Sequence, residues 1–333
     1  ITGGTGFIGT HLASLLHEVH PETRIYNLDI VEPGTPLPTV KNYKPALGNG
    51  EEHAATFIYC DVRQPIELEK VNITPDDVIF NFAAVHRTPG HPDPAYFETN
   101  IRGAENVCAF AERHGIRKIV FTSSIAPYGA AEELKEETTL PMPNTPYGIS
   151  KLVAEKIHQT WQAGGEGRQL TIVRPGVVFG RGENGNFTRL YWGIRGHKFM
   201  YPGRKDTIKA CIYVKELVRF MLYRLEHHDS GVELYNCCYE PAYTIEHIVE
   251  SMKRVTNMKV KVPFMPGWLI MTAAGIAGAL GSPMGICPAR VRKLQISTNI
   301  CGKKLSASGY RFHYTFEEAL ADWYKDNGNL YLQ

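Results

Sequence analysis

The sequence lacks a long run of lysine or arginine, a metal-binding pair of cysteines and an apolar run long enough to cross a bilayer. Its formal net charge is only +2, so its charge pattern does not indicate a nucleic-acid partner. The seven cysteines are odd in number and show no Cys-x-x-Cys spacing, which argues against a disulfide framework and a zinc site. We therefore expect a cytoplasmic protein without metal, nucleic-acid or membrane partners.

What the sequence does contain is a glycine-rich opening. Gly3, Gly6 and Gly9 precede and enter a helical pattern of apolar residues, and a strand ends in Asp29 about twenty residues later. A helix N-terminus presents unpaired N–H groups, and glycines allow a pyrophosphate to approach them. The combination predicts a dinucleotide-binding loop. Because the loop opens the chain, we expect that most of a first strand precedes Ile1.

Strands and helices then alternate along the chain. We predict strands at 24–29, 56–60, 78–84, 118–124 and 170–175, and helices at 94–114 and from Pro146 onward. This alternation of strands and helices is typical of an α/β fold with a Rossmann-type doubly wound parallel sheet. We expect a surface insertion at 31–54.

The pattern becomes irregular after residue 175, which favours a smaller C-terminal substrate domain. There we predict a helix at 188–195, a strand at 212–214 and a helix at 215–224. The expected NAD-binding domain comprises residues 1–175 and roughly 208–240, and the substrate domain roughly 176–207 and 241–333. Residues 268–280 are apolar and rich in glycine and alanine, which fits a core helix or a peripheral membrane contact.

Tyr147 and Lys151 are candidates for chemistry because they lie four residues apart on one predicted helix. They follow Ser123 and Ser124, which end a predicted strand at the carboxyl edge where open α/β sheets bind ligands. A nearby ammonium group and a positively charged nicotinamide would favour the tyrosinate, which is then a usable base.

With these residues in place, the chain resembles the extended short-chain dehydrogenase/reductases, in their nucleotide-sugar epimerase/dehydratase branch. The resemblance implies that Tyr147 is the acid/base, that Lys151 holds the nicotinamide ribose and tunes Tyr147, and that Ser124 binds the reacting oxygen. It also implies that Asn100 supports the active-site helix, and Ser123 is a second candidate beside Ser124. The matching residues are Gly3-x-x-Gly6-x-x-Gly9, Asp29, Asp61-Val62, Asn100, Ser123-Ser124, Tyr128-Gly129, Tyr147-x-x-x-Lys151 and Arg174-Pro175. The implied cofactor contacts are Gly3, Gly6, Phe7, Ile8, Gly9, Asp29, Asp61, Val62, Phe82, Ala83, Ala84, Ser123, Tyr147, Lys151 and Pro175.

Departures from the family pattern reduce the number of reactions expected of this chain. Dehydratases carry an Asp-Glu pair where this chain has Ile125-Ala126, which argues against dehydration. Asp29 would accept a hydrogen bond from a free ribose 2′-hydroxyl and repel a 2′-phosphate, so NAD is preferred over NADP. Val177 replaces an asparagine, and Lys209 stands where an arginine normally meets the diphosphate. The substrate-contact candidates are His86, Arg87, Ser124, Tyr147, Asn186, Arg189, Tyr201, Lys209 and Arg290.

The first functional hypothesis is an NAD-dependent nucleotide-sugar epimerase. It would act on C4 of a UDP-hexose or hexosamine by transient oxidation to a 4-keto sugar. The alternative, favoured by Val177, is a net dehydrogenase or reductase of a nucleotide-linked or other small carbonyl compound. The third hypothesis is a dinucleotide-sensing regulator, which the presence of Ser124, Tyr147 and Lys151 disfavours. The resemblance also implies a homodimer through the helices around 94–114 and 147–162.

Overall fold

The computed structural model describes residues 1–35, 55–69, 71–86, 90–129, 131–229, 231–269, 272 and 295–333. Arg87, Arg290, most of the predicted insertion and most of the apolar segment 268–280 lie outside these residues, so the predictions for them stay predictions.

The predicted strands and helices are present with similar bounds, and the structure adds others that were not predicted. The strands are β1 (Tyr26–Asp29), β2 (Thr56–Tyr59), β3 (Val78–Asn81), β4 (Lys118–Thr122), β5 (Ala131–Lys135), β6 (Gln169–Pro175), β7 (Val177–Phe179), β8 (Tyr201–Pro202), β9 (Ile208–Lys209), β10 (Cys211–Tyr213), β11 (Val232–Cys237), β12 (Tyr243–Thr244), β13 (Phe264–Met265) and β14 (Thr298–Ile300). The helices are α1 (Phe7–Val19), α2 (Asp93–Arg113), α3 (Pro146–Ala163), α4 (Asn186–Arg195), α5 (Val214–Glu226), α6 (Ile245–Val255), α7 (Lys303–Ala307) and α8 (Phe316–Asp326).

A parallel sheet forms the centre of the molecule. Its strands run in the order β2, β1, β3, β4, β6, β11, and Thr2 joins the two halves by bridging Leu28 in β1 and Asn81 in β3. The chain thus crosses over on both sides of its opening residues, as in a doubly wound sheet. This confirms the predicted fold class.

Helices cover both faces of this sheet. On one face, Leu12 and Leu16 of α1 pack with Val173 of β6 and with α5. On the other, α2 and α3 pack together over Ile119 and Phe121 of β4. The central strands are buried on both faces, which explains their nearly continuous apolar sequences.

A second core lies in the smaller C-terminal part. It is built from aromatic side chains, with Phe179 of β7 stacked on Phe187 of α4 at a centroid distance of 4.8 Å and Trp323 of α8 fully buried. A four-stranded sheet in the order β12, β9, β14, β5 and the parallel pair β13–β8 complete this part. No helix in the described part of the chain has the length and apolar character needed to cross a membrane.

Candidate active site

The glycine loop is shaped for a close ligand. Gly3 has a φ of 70°, and a Cβ there would lie 2.6 Å from the backbone N of Ala83. A Cβ on Gly9 would lie 2.6 Å from the carbonyl oxygen of Gly4. Helix α1 then begins at Phe7 without a side-chain cap and without an acidic residue in its first turn. Its first N–H groups therefore have no partner inside the helix and can bind an anion, so the loop fits a dinucleotide pyrophosphate.

Asp29 ends β1 directly beside this loop. Its carboxylate accepts hydrogen bonds from the backbone N–H of Thr5 at 3.2 Å and of Ile30 at 2.8 Å. These bonds hold the carboxylate at the strand end, the place expected for recognition of a ribose.

Two further stretches are predicted to contact the dinucleotide, residues 61–62 and residues 82–84, and they lie in different surroundings. Arg63 donates to both oxygens of Asp61, with distances from 2.6 to 3.0 Å, and this pair lowers the pKa of Asp61. Val62 is buried under α2, where it faces Gly103. Residues 82–84 continue from the end of β3, and Ala83 contacts the glycine loop. His86 follows them and is exposed.

Lys151 is buried in α3, one turn after Tyr147. Its Nζ donates a 2.6 Å hydrogen bond to the carbonyl oxygen of Thr122 at the end of β4 and lies 4.7 Å from the centroid of the Phe121 ring. Burial lowers the pKa of Lys151 to about 7, and the Glu155 carboxylate opposes that shift. The hydrogen bond to Thr122 therefore fixes the position of the Lys151 nitrogen, while burial disfavours its charged form.

The Ser124 side chain lies beside the Tyr147 phenol. The Ser124 oxygen accepts from the N–H of Ala126 at 3.1 Å, which leaves its own proton free to donate to the phenol oxygen. Burial raises the pKa of Tyr147 to about 12, and the bond from Ser124 only partly opposes this. That an ammonium group and the nicotinamide charge together favour the tyrosinate stays a prediction.

Asn100 connects the loop after β3 to helix α3. Its side chain accepts from the N–H of Val85 at 2.8 Å, donates to the carbonyl oxygen of Val85 at 3.1 Å and donates to Ser150 Oγ at 2.9 Å. It is buried, and its contacts fit the expected supporting role.

Two buried networks at the site were not predicted from the sequence. Glu155, one turn beyond Lys151, accepts from Ser123 Oγ at 2.5 Å and from Arg174 Nη2 at 2.6 Å. Ser123 is thus engaged with Glu155, while Ser124 meets Tyr147. The available signal was an arginine beside the apolar residues of β6 and a glutamate on the buried side of α3.

The second network runs from the glycine loop to α3. Thr2 Oγ1 donates to Asn81 Oδ1 at 2.8 Å, and Asn81 Nδ2 lies 3.1 Å from His158 Nε2. His158 Nδ1 lies 2.7 Å from the carbonyl oxygen of Ala154, an acceptor, so this nitrogen carries the proton and Nε2 accepts from Asn81. Burial lowers the pKa of His158 to about 4, which keeps the ring neutral.

The predicted substrate contacts in the C-terminal part are more dispersed. Asn186 and Arg189 are exposed at the start of α4 and bond to each other at 2.8 Å. Tyr201 is buried, and its hydroxyl has no hydrogen-bond partner among the described residues. Lys209 Nζ donates to the carbonyl oxygen of Ile296 at 2.7 Å. Pro175 ends β6, and Val177 lies in β7, which pairs with β10.

A family profile, the NAD dependent epimerase/dehydratase family, matches residues 1–238. The chain belongs to this family. It is an enzyme of the extended short-chain dehydrogenase/reductase type, and NAD is its cofactor.

Relatives and solved structures agree with this assignment. The chain is 30% identical to an N-acetyl-alpha-D-glucosaminyl-diphospho-ditrans,octacis-undecaprenol 4-epimerase of Escherichia coli O157:H7, over 96% of this chain and 92% of the relative. It is 26% identical to UDP-glucose 4-epimerase 3 of Oryza sativa subsp. japonica, over 80% and 78%. Its fold is similar to a UDP-N-acetylglucosamine 4-epimerase from Methanobrevibacter ruminantium M1 in complex with UDP-N-acetylmuramic acid, with a TM-score of 0.72, 20% identity and coverage of 98% and 97%.

Proposed function

We propose that this protein is a 4-epimerase of a hexose or hexosamine carried on a diphosphate, with UDP-N-acetylglucosamine as the first substrate to test. The observation that carries the proposal is that Tyr147 lies on one helix with the buried Lys151, whose Nζ is fixed on the Thr122 carbonyl at the end of β4, with Ser124 beside the phenol. These groups suit proton removal from one sugar hydroxyl and its return. The 30% identical relative is named for the same type of reaction on a sugar diphosphate.

Three side chains carry the proposed reaction: Tyr147, Ser124 and Lys151. Tyr147 acts as the tyrosinate, a form that the positive charge of bound NAD would favour, and takes the proton of the C4 hydroxyl. The Ser124 hydroxyl then turns from the phenol and donates its hydrogen bond to that sugar oxygen. Lys151, held by Thr122, supplies positive charge near the phenol and binds the nicotinamide ribose. The chemistry that NAD supplies when bound is reversible acceptance of a hydride.

The cofactor would be held by the glycine loop, by Asp29 on the adenosine ribose and by residues 61–62 and 82–84 along the sheet edge. The apolar Ile125 and Ala126 offer no further acid or base beside Tyr147, which disfavours loss of water. Lys209 and Arg189 remain candidates for the diphosphate, and Tyr201 is a weaker candidate because its side chain is buried.

The division into an NAD-binding domain (1–175 and roughly 208–240) and a substrate domain (roughly 176–207 and 241–333) remains part of the proposal.

A homodimer through the outer faces of α2 and α3 is also part of the proposal. On that surface Ile149 is 40% exposed, and Leu152 and Ile157 are partly exposed. Sedimentation velocity of the wild type and of Ile149→Glu would test the dimer.

The six described cysteines are free thiols, which fits the proposed cytoplasmic location.

The central experiment is incubation with NAD and UDP-N-acetylglucosamine, with separation of the two 4-epimers and simultaneous measurement of absorbance at the NADH band. We expect interconversion without accumulation of NADH. A second incubation with the same sugar on a polyprenyl diphosphate determines which carrier is used. Stoichiometric NADH would instead identify a net dehydrogenase, the alternative that Val177 favours. Absence of conversion on both carriers would contradict the proposal.

A further inference from the structure

Exposed apolar side chains gather at the edge of the pair β8–β13. Phe264, Trp268, Leu269 and Met200 expose 50%, 71%, 41% and 36% of their surface. The backbone keeps the two segments together, because the N–H of Tyr201 donates to the carbonyl oxygen of Pro263 at 2.9 Å and that of Gly203 donates to Met265 at 2.9 Å. We name these four residues the apolar ridge.

The two chain segments that carry the apolar ridge are rich in basic residues. The segments 184–205 and 251–269, which contain the ridge, have no aspartate or glutamate. Lys198, Lys259 and Lys261 are exposed there and form no ion pair with any residue that the structure describes. Arg195 and His197 add two further exposed basic side chains.

Carboxylates on the neighbouring elements are already paired with other cations. Asp206 and Glu132 both meet Arg204, at 2.8 and 2.9 Å. Glu246 meets Lys205 at 2.9 Å, and Glu250 meets Lys253 at 2.9 Å. Glu317 of α8 pairs with Arg254. The three lysines named above therefore keep their charge available to an external partner.

We propose that the apolar ridge docks this protein on an anionic lipid surface. Tryptophan and phenylalanine favour the boundary between headgroups and acyl chains, and lysines with apolar stems can lie along that boundary with their ammonium groups at the phosphates. A second copy of the chain is disfavoured as the occupant, since a two-fold contact would bring like charges together. The docking differs from the expectation of no membrane contact, and it is independent of the proposed reaction because it uses none of the residues assigned to catalysis.

The test is cosedimentation of the full chain with phosphatidylcholine vesicles that contain or lack phosphatidylglycerol. We expect binding to the anionic vesicles, weakening as salt is raised. Each lysine near an anionic surface adds about five-fold to partitioning, so Lys198→Glu with Lys261→Glu should lower it by more than ten-fold. Trp268→Ser should lower it several-fold. The matched controls are Lys303→Glu and Leu140→Ser, exposed residues elsewhere on the molecule, which should bind as the wild type does.

Tryptophan emission gives a second measurement. Trp161 and Trp323 are buried, so a blue shift on vesicle addition must come mainly from Trp268 or Trp192, and it should disappear in Trp268→Phe. Circular dichroism and NAD binding would show that the variants are folded. Absence of binding to anionic vesicles, equal loss in the controls, or a change of sedimentation coefficient in Trp268→Ser, which would indicate a protein partner, would each overturn the proposal.

Discussion

Glu155 accepts two hydrogen bonds from Arg174, 2.8 Å from Nε and 2.6 Å from Nη2, where both side chains are at most 3% exposed. The pair lies between β6 and α3, next to Lys151 on the same helix. This contact joins α3 to the sheet, and removing one partner of the buried ion pair would leave the other charge unpaired.

Glu155→Gln should therefore destabilise the protein by about 3–5 kcal/mol, measured by urea unfolding. Glu112→Gln is the matched control, because Glu112 is 66% exposed and pairs with Arg168 at 3.2 Å. Its cost should be about 0–1 kcal/mol. Equal losses in the two variants would show that the buried pair has no special role.

Tyr147→Phe removes the phenol that the proposal uses as acid and base. Epimerisation should fall by a factor of about 10²–10⁴, while NAD binding changes little. Tyr324→Phe on α8 is the control and should retain activity. Turnover of the Tyr147→Phe variant near the wild-type rate would assign proton transfer to another group.

Gly3→Ala should impair both stability and cofactor binding, because the new Cβ would strain the left-handed backbone and press on Ala83. Gly328→Ala separates the two effects, since Gly328 has a φ of 66° and nothing within 4 Å of a new Cβ. We expect about 1–2 kcal/mol of destabilisation from backbone strain in the control. Only Gly3→Ala should also lose the rise in melting temperature on addition of NAD, which differential scanning fluorimetry measures.

Asp29→Ala should weaken NAD more than NADP. Loss of a hydrogen bond to a charged acceptor costs about 1.5–3 kcal/mol, which corresponds to a roughly ten- to hundred-fold rise in the dissociation constant for NAD. The repulsion of a 2′-phosphate disappears at the same time. Isothermal titration calorimetry with both dinucleotides measures the ratio, and Asp76→Ala, a residue with an 89% exposed side chain, provides the control. An unchanged ratio would contradict the assigned role of Asp29.

Acid should destabilise the fold through two buried histidines. Burial lowers the pKa values of His11 and His158 to about 4, from 6.5. Between these values the unfolded chain binds protons that the folded chain does not, so stability falls as pH drops from 6.5 to 4, by up to about 3 kcal/mol for each histidine. Unfolding free energies across this range should show a smaller slope for His158→Gln, but not for His17→Gln on the exposed side of α1. Parallel slopes for His158→Gln and the wild type would exclude His158 as a source.

The sequence predicts those parts of the site that are local. The glycine spacing, Asp29 at a strand end and the four-residue interval between Tyr147 and Lys151 each follow from the geometry of one turn or one helix. The pairing of Glu155 with Ser123 and Arg174 does not, because it depends on how a helix packs on two strands distant in the chain. The raised pKa of Tyr147 escaped prediction for the same reason, since its desolvation comes from tertiary burial.

The burial of Lys151 has a consequence for chemical labelling. With its nitrogen held against the Thr122 carbonyl and near the Phe121 ring, this lysine should react far more slowly than exposed lysines with acylating or reductive-methylating reagents in the folded protein without cofactor. Mass spectrometry should find it unlabelled beside heavily modified exposed lysines such as Lys156 and Lys303, and labelled only after denaturation. The same shielding places this amine out of reach of enzymes that acetylate surface lysines.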